Sequence, residues 1–189
     1  MLRTTQVIAL LFAMLLGLSA CAASTPPIAD SSQDAPAYRI GAGDRLKVTV
    51  FGEQALSNDY VVTSVGDIAF PLLGAVPVEG KTVEESAALL TQKLSNGYLN
   101  DPRVSMEVLN YRPFYILGEV SNSGEFAYRA NLTATQAIAL AGGYSYRADK
   151  SKVFIRRAGE TEERTYILKA NQPVWVLPGD TVRIGERFL

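Results

Sequence analysis

The side chains able to do chemistry here form a short set: carboxylates beside Gly or Pro, one cysteine, and a tyrosine pair followed by basic residues. Asp44, Asp67, Asp101 and Asp180 each adjoin Gly or Pro, and Glu84 and Glu85 stand together ahead of an apolar-periodic segment. Acid–base catalysis needs two carboxyl groups that converge, one of them with a raised pKa. Each of these groups has a local task instead. An Asp in a turn accepts hydrogen bonds from nearby backbone N–H groups, and Glu in a helix's first turn meets the positive end of its dipole. The sequence contains no histidine, which excludes Ser-His-Asp and Cys-His catalysis and the commonest transition-metal ligand. The single cysteine, Cys21, can form neither an internal disulfide nor a thiolate cluster. No catalytic residue, no metal site and no dissociable cofactor is expected, and the chain reads as non-enzymatic.

The tyrosine pair lies in "GGYSYRADK", where Tyr144 and Tyr146 follow a helix end with Arg147 and Lys150 close behind. In an extended stretch, alternate residues share a side. Two readings stand side by side. The four residues form a contact surface for a ligand or a neighbouring subunit, or the rings pack over the helix end. Trp175, between Val174 and Val176, reads as core. Arg156 and Arg157 straddle the two faces of a strand, and one of them meets solvent or a neighbour's carboxylates. The loop in "GEVSNSGEF" is a second contact candidate.

These residues must be positioned by strands and two helices. "IGAGDRLKV" and "VLPGDTVRI" repeat one phrase, Gly-Asp followed by an apolar/basic/apolar alternation. Gly43 and Gly179 can take the positive φ of a tight turn, and Asp44 and Asp180 can bond back to the turn's backbone. All four are read as structural: the phrase makes a sharp entry into a strand. Leu46, Val48 and Val50 alternate with polar residues, the pattern of a half-buried strand. Asp59 to Thr82 reads as short strands broken at Gly66, Pro71, Gly74 and Gly80. Thr82-Val83-Glu84-Glu85 and Thr133-Ala134-Thr135-Gln136 are capping boxes. Val83, Ala87, Leu90 and Leu94 share one face of the first helix, and Gly142-Gly143 stops the second. "RVSMEVLN", "FYILGEV", "EFAYRA", "KVFIRR", "RTYILK", "PVWVL" and "DTVRIGE" read as further strands. The expected class is α+β: two small β-rich units, each with one main helix, the second β-grasp-like.

The 189 residues suffice for one ordinary domain or two small ones. Lys and Arg number 18 against 19 Asp and Glu, so no basic excess points to nucleic acid.

The chain opens with a charged Arg3, an apolar run from Val7 to Leu16, and Leu18-Ser19-Ala20-Cys21. The run has signal-peptide length and is short for a membrane span. Its end resembles a bacterial lipobox, which implies cleavage after residue 20 and covalent lipid on Cys21. The alternatives are an ordinary signal peptide with a chance cysteine, or an uncleaved anchor. Each buried acyl methylene adds about 0.8 kcal/mol of membrane affinity. Ala22, by analogy with lipoprotein sorting, permits passage to the outer membrane. Residues 21–37, small, polar and proline-rich, read as a flexible tether.

Several phrases in fixed order resemble one family, the bacterial outer-membrane polysaccharide export proteins. They are "YRIGAGDRLKVTVFGE", "GDIAFPLLGAVPVEGKT", "DPRVSMEV", "YILGEVSNSGEFAY", "LTATQAIALAGGYSYRAD" and "PGDTVRI". The resemblance implies a signal peptide over 1–20, a lipidated tether over 21–37, a polysaccharide-export domain over 38–110 and a soluble-ligand-binding β-grasp domain over 111–189. The longest family members carry repeated β-grasp copies and a C-terminal pore helix. This chain resembles a short form without them, which implies a periplasm-facing ring or collar beneath the outer membrane. Implied partners are further copies in a ring, an inner-membrane polysaccharide co-polymerase, a separate outer-membrane barrel and the polysaccharide itself. In that context Tyr144 and Tyr146 could stack on sugar, and Arg156 or Arg157 could meet an anionic polymer. No nucleotide-driven engine is expected, because no phosphate-cradling Gly-Lys-Ser/Thr loop is anticipated. The competing reading is a monomeric periplasmic module that holds a glycan or soluble ligand without a conduit role.

Overall fold

The computed structural model describes residues 28–29 and 34–187. Cys21 and the signal segment lie outside these residues. The class is α+β, with strands in three sheets and two α-helices among the described residues.

In the first unit, β1 (Arg45–Val50) runs between β2 (Asn58–Val61) and β5 (Val104–Asn110), antiparallel to both. Its burial alternates strictly, with Leu46, Val48 and Val50 inward. A hairpin of β3 (Asp67–Phe70) and β4 (Gly74–Pro77) forms a separate two-stranded sheet. Helix α1 (Val83–Ser95) closes the core with Leu90 and Leu94. Its capping box is formed in full. Glu85 N–H donates to the Thr82 hydroxyl at 3.2 Å, and Thr82 N–H donates to the Glu85 carboxylate at 2.9 Å. Of the expected apolar face, Val83 and Ala87 are only partly covered, and buried Ser86 lies inward with Leu90 and Leu94.

In the second unit the sheet order is β7 (Gly124–Phe126), β6 (Phe114–Gly118), β10 (Thr181–Ile184), β8 (Lys152–Arg156) and β9 (Arg164–Ile167). The central β10 pairs parallel with β6 and antiparallel with β8. Helix α2 (Ala134–Leu140) buries Ala134, Ala137 and Ile138 against Phe114, Ile116, Ile155 and Val182. The second capping box also forms, between Thr133 and Gln136.

Two expected strands differ. "EFAYRA" pairs only as far as Phe126. "PVWVL" is no strand. It lies along the entry to α2, where Ala134 N–H donates to Val174 C=O at 2.7 Å and Val176 N–H to Leu132 C=O at 2.9 Å. Pro173 has no N–H with which to extend a ladder. Val174 and Val176 are core, whereas Trp175 points the other way and is only half-buried. The core reading of Trp175 is therefore corrected.

Candidate functional site

The two Gly-Asp phrases fold into the same device. Asp44 N–H donates to Gly41 C=O at 3.1 Å, and Asp180 N–H donates to Leu177 C=O at 3.1 Å. Gly43 and Gly179 hold φ of 90° and 84°. That is a type II turn with glycine at its third position. Each Asp side chain then returns to the turn's first residue. Gly41 N–H donates to Asp44 Oδ2 at 2.7 Å, and Leu177 N–H donates to Asp180 Oδ2 at 2.6 Å. The next residues enter β1 and β10.

The surroundings of the two carboxylates differ, and both are wholly buried. Asp44 takes three donors: Gly41 N–H, the Tyr38 hydroxyl, and the main-chain N–H of Arg112 on Oδ1 at 3.2 Å. Burial, then the Asp44 hydrogen bond, push the Tyr38 hydroxyl far above its ordinary pKa, so it remains a donor. Asp180 meets the Arg157 guanidinium, which also donates to Trp175 C=O at 3.1 Å and lies over the Tyr166 ring. Asp180 Oδ1 has no hydrogen-bond partner. Burial pushes this carboxyl up to about 6, against the pull of Arg157 and the Leu177 and Ala158 amides.

Arg112 joins the two turns. Its main chain reaches Asp44, and its side-chain Nε donates to Pro178 C=O at 3.0 Å. The guanidinium lies where a side chain on Gly41 would begin: a Cβ there would meet Nη1 at 1.2 Å. Tyr111 beside it is edge-on to Tyr38 at 4.8 Å and to Tyr128 at 5.4 Å, centroid to centroid. The second Gly-Asp turn thus docks on the first through one arginine and a run of three tyrosines. Sequence reasoning missed the roles of Tyr38 and Arg112, and set Arg156 and Arg157 on opposite faces without saying which of them turns inward. Tyr38 carried a signal, its place six residues ahead of Asp44; "NYRPF" carried none.

A cleft of about 380 Å³ opens beside this junction, lined by Leu109, Tyr111, Pro113, Glu125 and Tyr128. Another, about 470 Å³, lies between the Arg129–Leu132 segment and α2. Neither holds a converging carboxylate pair. Among the described residues, no cluster of His, Cys, Asp or Glu is arranged to hold a metal.

The structure separates the tyrosine pair. Residues 146–147 form a turn rather than an extended run. Tyr144 bridges to Val120 and packs on the core, and burial raises its pKa. The Lys150 ammonium sits 5.8 Å from its ring centre. Tyr146 projects outward, 88% exposed. Arg147 bonds to Glu186 through Nε at 2.7 Å, and the Ser145 hydroxyl donates to Glu119 at 2.5 Å. These partners pin the turn. Of the two adjacent arginines, Arg156 is exposed and Arg157 turns inward to Asp180.

Contrary to expectation, a Gly80-Lys81-Thr82 triplet does open α1, as in phosphate-binding loops. The pattern is incomplete, because Ala75 stands where the first glycine belongs. The Thr82 hydroxyl is already occupied in the capping box.

A family model described as polysaccharide biosynthesis/export protein matches residues 32–109, and an SLBB domain model matches residues 113–167. The chain belongs to the polysaccharide export protein family. Between the two matched stretches lie only Asn110, Tyr111 and Arg112, so the arginine that touches both turns falls between them. The exopolysaccharide production protein ExoF of Rhizobium meliloti is 36% identical over 77% of this chain and 36% of its own length. The EPS I polysaccharide export outer membrane protein EpsA of Ralstonia nicotianae is 29% identical over 79% of this chain and 48% of its own. The polysialic acid transport protein KpsD of Escherichia coli is 24% identical over 80% of this chain and 29% of its own. The chain therefore spans less than half the length of these curated relatives. No described helix is long and apolar enough to cross a membrane.

Proposed function

We propose that this chain is a non-enzymatic, lipid-anchored component of an exopolysaccharide export machine, held at the outer membrane and facing the periplasm. The observation that carries the reading is the pair of successive matches, export domain then SLBB domain. Relatives named for exopolysaccharide production and polysaccharide export support it. Leu18-Ser19-Ala20-Cys21 supports the anchor.

In this reading Cys21 carries the lipid and the body assembles with copies of itself into a ring around the polymer. An inner-membrane co-polymerase supplies the polymer, and a separate outer-membrane barrel takes it outward. Assembly compensates for weak single contacts, because equivalent sites around a closed ring act together on one long chain. The Asp44–Arg112 joint serves this task by holding the two units at one angle. The exposed Tyr146 remains the proposed point of contact with sugar or with a neighbouring copy. The exposed Lys150, set against Tyr144, supplies positive charge for an anionic polymer, while Arg147 is paired with Glu186.

The test is chromosomal replacement of Cys21 by Ser, followed by fractionation and light scattering of the purified protein. The reading expects loss of membrane association, weakened export and self-assembly at high concentration. Unchanged fractionation removes the anchor. A strict monomer, with and without lipid, favours the monomeric binding module.

A further inference from the structure

The strand β9 is an outer strand of its sheet. An outer strand presents unpaired backbone groups and is a template for another strand. Here part of that edge is covered. Ile28 forms a parallel bridge with Thr165, and Ala29 N–H donates to Thr165 C=O at 2.8 Å. The Ala29 side chain packs on the second unit's core, and Thr165 is 6% exposed. The tether is thus seated on the second unit before the chain returns to Tyr38 in the first. Pro26 and Pro27 immediately precede this seat. They have no N–H, so neither proline can donate a further bond to β9.

We infer that this seat is an orientation device: it holds the β9 edge of the SLBB unit toward the bilayer. The inference rests on the lipid anchor proposed above. Counted from Cys21, seven residues precede Ile28, and fully extended they reach about 25 Å. A tether free as far as Tyr38 would be 17 residues long and reach about 60 Å. Docking therefore removes more than half of the slack. It also selects which part of the body lies near the lipid: the β9 edge with its exposed Ile28 and Ile167.

The experiment uses the full lipidated chain in phosphatidylethanolamine/phosphatidylglycerol vesicles with a headgroup energy-transfer acceptor. One donor dye is placed at Arg164→Cys on β9, another at Asn96→Cys at the end of α1. Transfer is expected to be stronger from position 164 than from position 96. It should fall at 164 when Ala29→Pro removes the donor N–H. It should fall equally when a Gly/Ser stretch is inserted after Ala22, a change that leaves the fold untouched. In the parent, hydrogen exchange should be slowed at Ala29, and the insertion should leave that protection intact. Equal transfer from the two positions, or transfer at 164 unmoved by both changes, overturns the inference while the anchor stands. Failure of the parent to partition into vesicles overturns the anchor reading, and this inference with it.

Discussion

Asp44 and Arg112, 68 residues apart in sequence, meet through a main-chain hydrogen bond of 3.2 Å. The same arginine reaches Pro178 C=O with its side chain. A carboxylate that looks like a local turn former is therefore also the anchor of the joint between two units. Three donors converge on it in a site without water access. Removing an acceptor that buried donors depend on costs about 1–3 kcal/mol per stranded group. Asp44→Ala is expected to destabilise the protein by several such increments, and Asp44→Asn by about 2 kcal/mol. Urea unfolding of both variants measures this.

Gly41→Ala tests the joint with one methyl group. Gly41 does not hold a positive φ, so alanine can adopt its backbone. Its Cβ would occupy the position of the Arg112 guanidinium, which must swing away from Pro178. The expected outcome is a small loss of overall stability with loss of coupling, so that calorimetry shows the two units melting separately. Arg112→Ala should behave in the same way. A single unchanged transition in both variants would show that the arginine does not couple the units.

Asp180 gives a pH signature of definite sign. Burial raises its folded pKa to about 6, above an ordinary unfolded value of about 3.9. The folded state binds the proton more tightly, so this group's contribution is fully present below pH ~4 and is lost as pH rises through ~6. The slope cannot exceed about 1.4 kcal/mol per pH unit for one group. Asp149 and Glu163 are held low, by Ser151 hydrogen bonds and by Arg183 respectively, and act in the opposite sense. The comparison is therefore parent against Asp180→Asn: their stability difference should change across pH 4–6 and be flat above about 7.

Tyr144 and Tyr146 should part company. Tyr144→Ala removes a partly buried ring from the core edge and is expected to cost about 1–2 kcal/mol. Tyr146→Ala should change stability by less than about 0.5 kcal/mol while lowering surface polysaccharide. Thermal melts and export assays on the single variants separate packing from contact. A large stability loss in Tyr146→Ala would contradict its exposed placement.

Local chemistry explains what the sequence made readable. Both capping boxes, the alternation of β1 and the Gly-Asp turns depend on residues three or fewer positions apart, and all formed. What escaped depends on distant partners. The burial of Asp44 comes from Tyr38 and Arg112, and the inward turn of Arg157 from Asp180. Tyr144 and Tyr146 separate because Ser145 is bonded to Glu119, and Arg147 to Glu186. The valines of "PVWVL" read as a strand by alternation, yet their partners belong to the loop entering α2.

The role proposed for this chain is to carry polysaccharide outward without making or cutting it. Deletion of its gene, with surface and intracellular polymer quantified side by side, tests that most directly. Surface polysaccharide is expected to be lost while intracellular synthesis continues, and to return with the parent gene. A full surface coat in the deletion strain, with no related gene compensating, would contradict it.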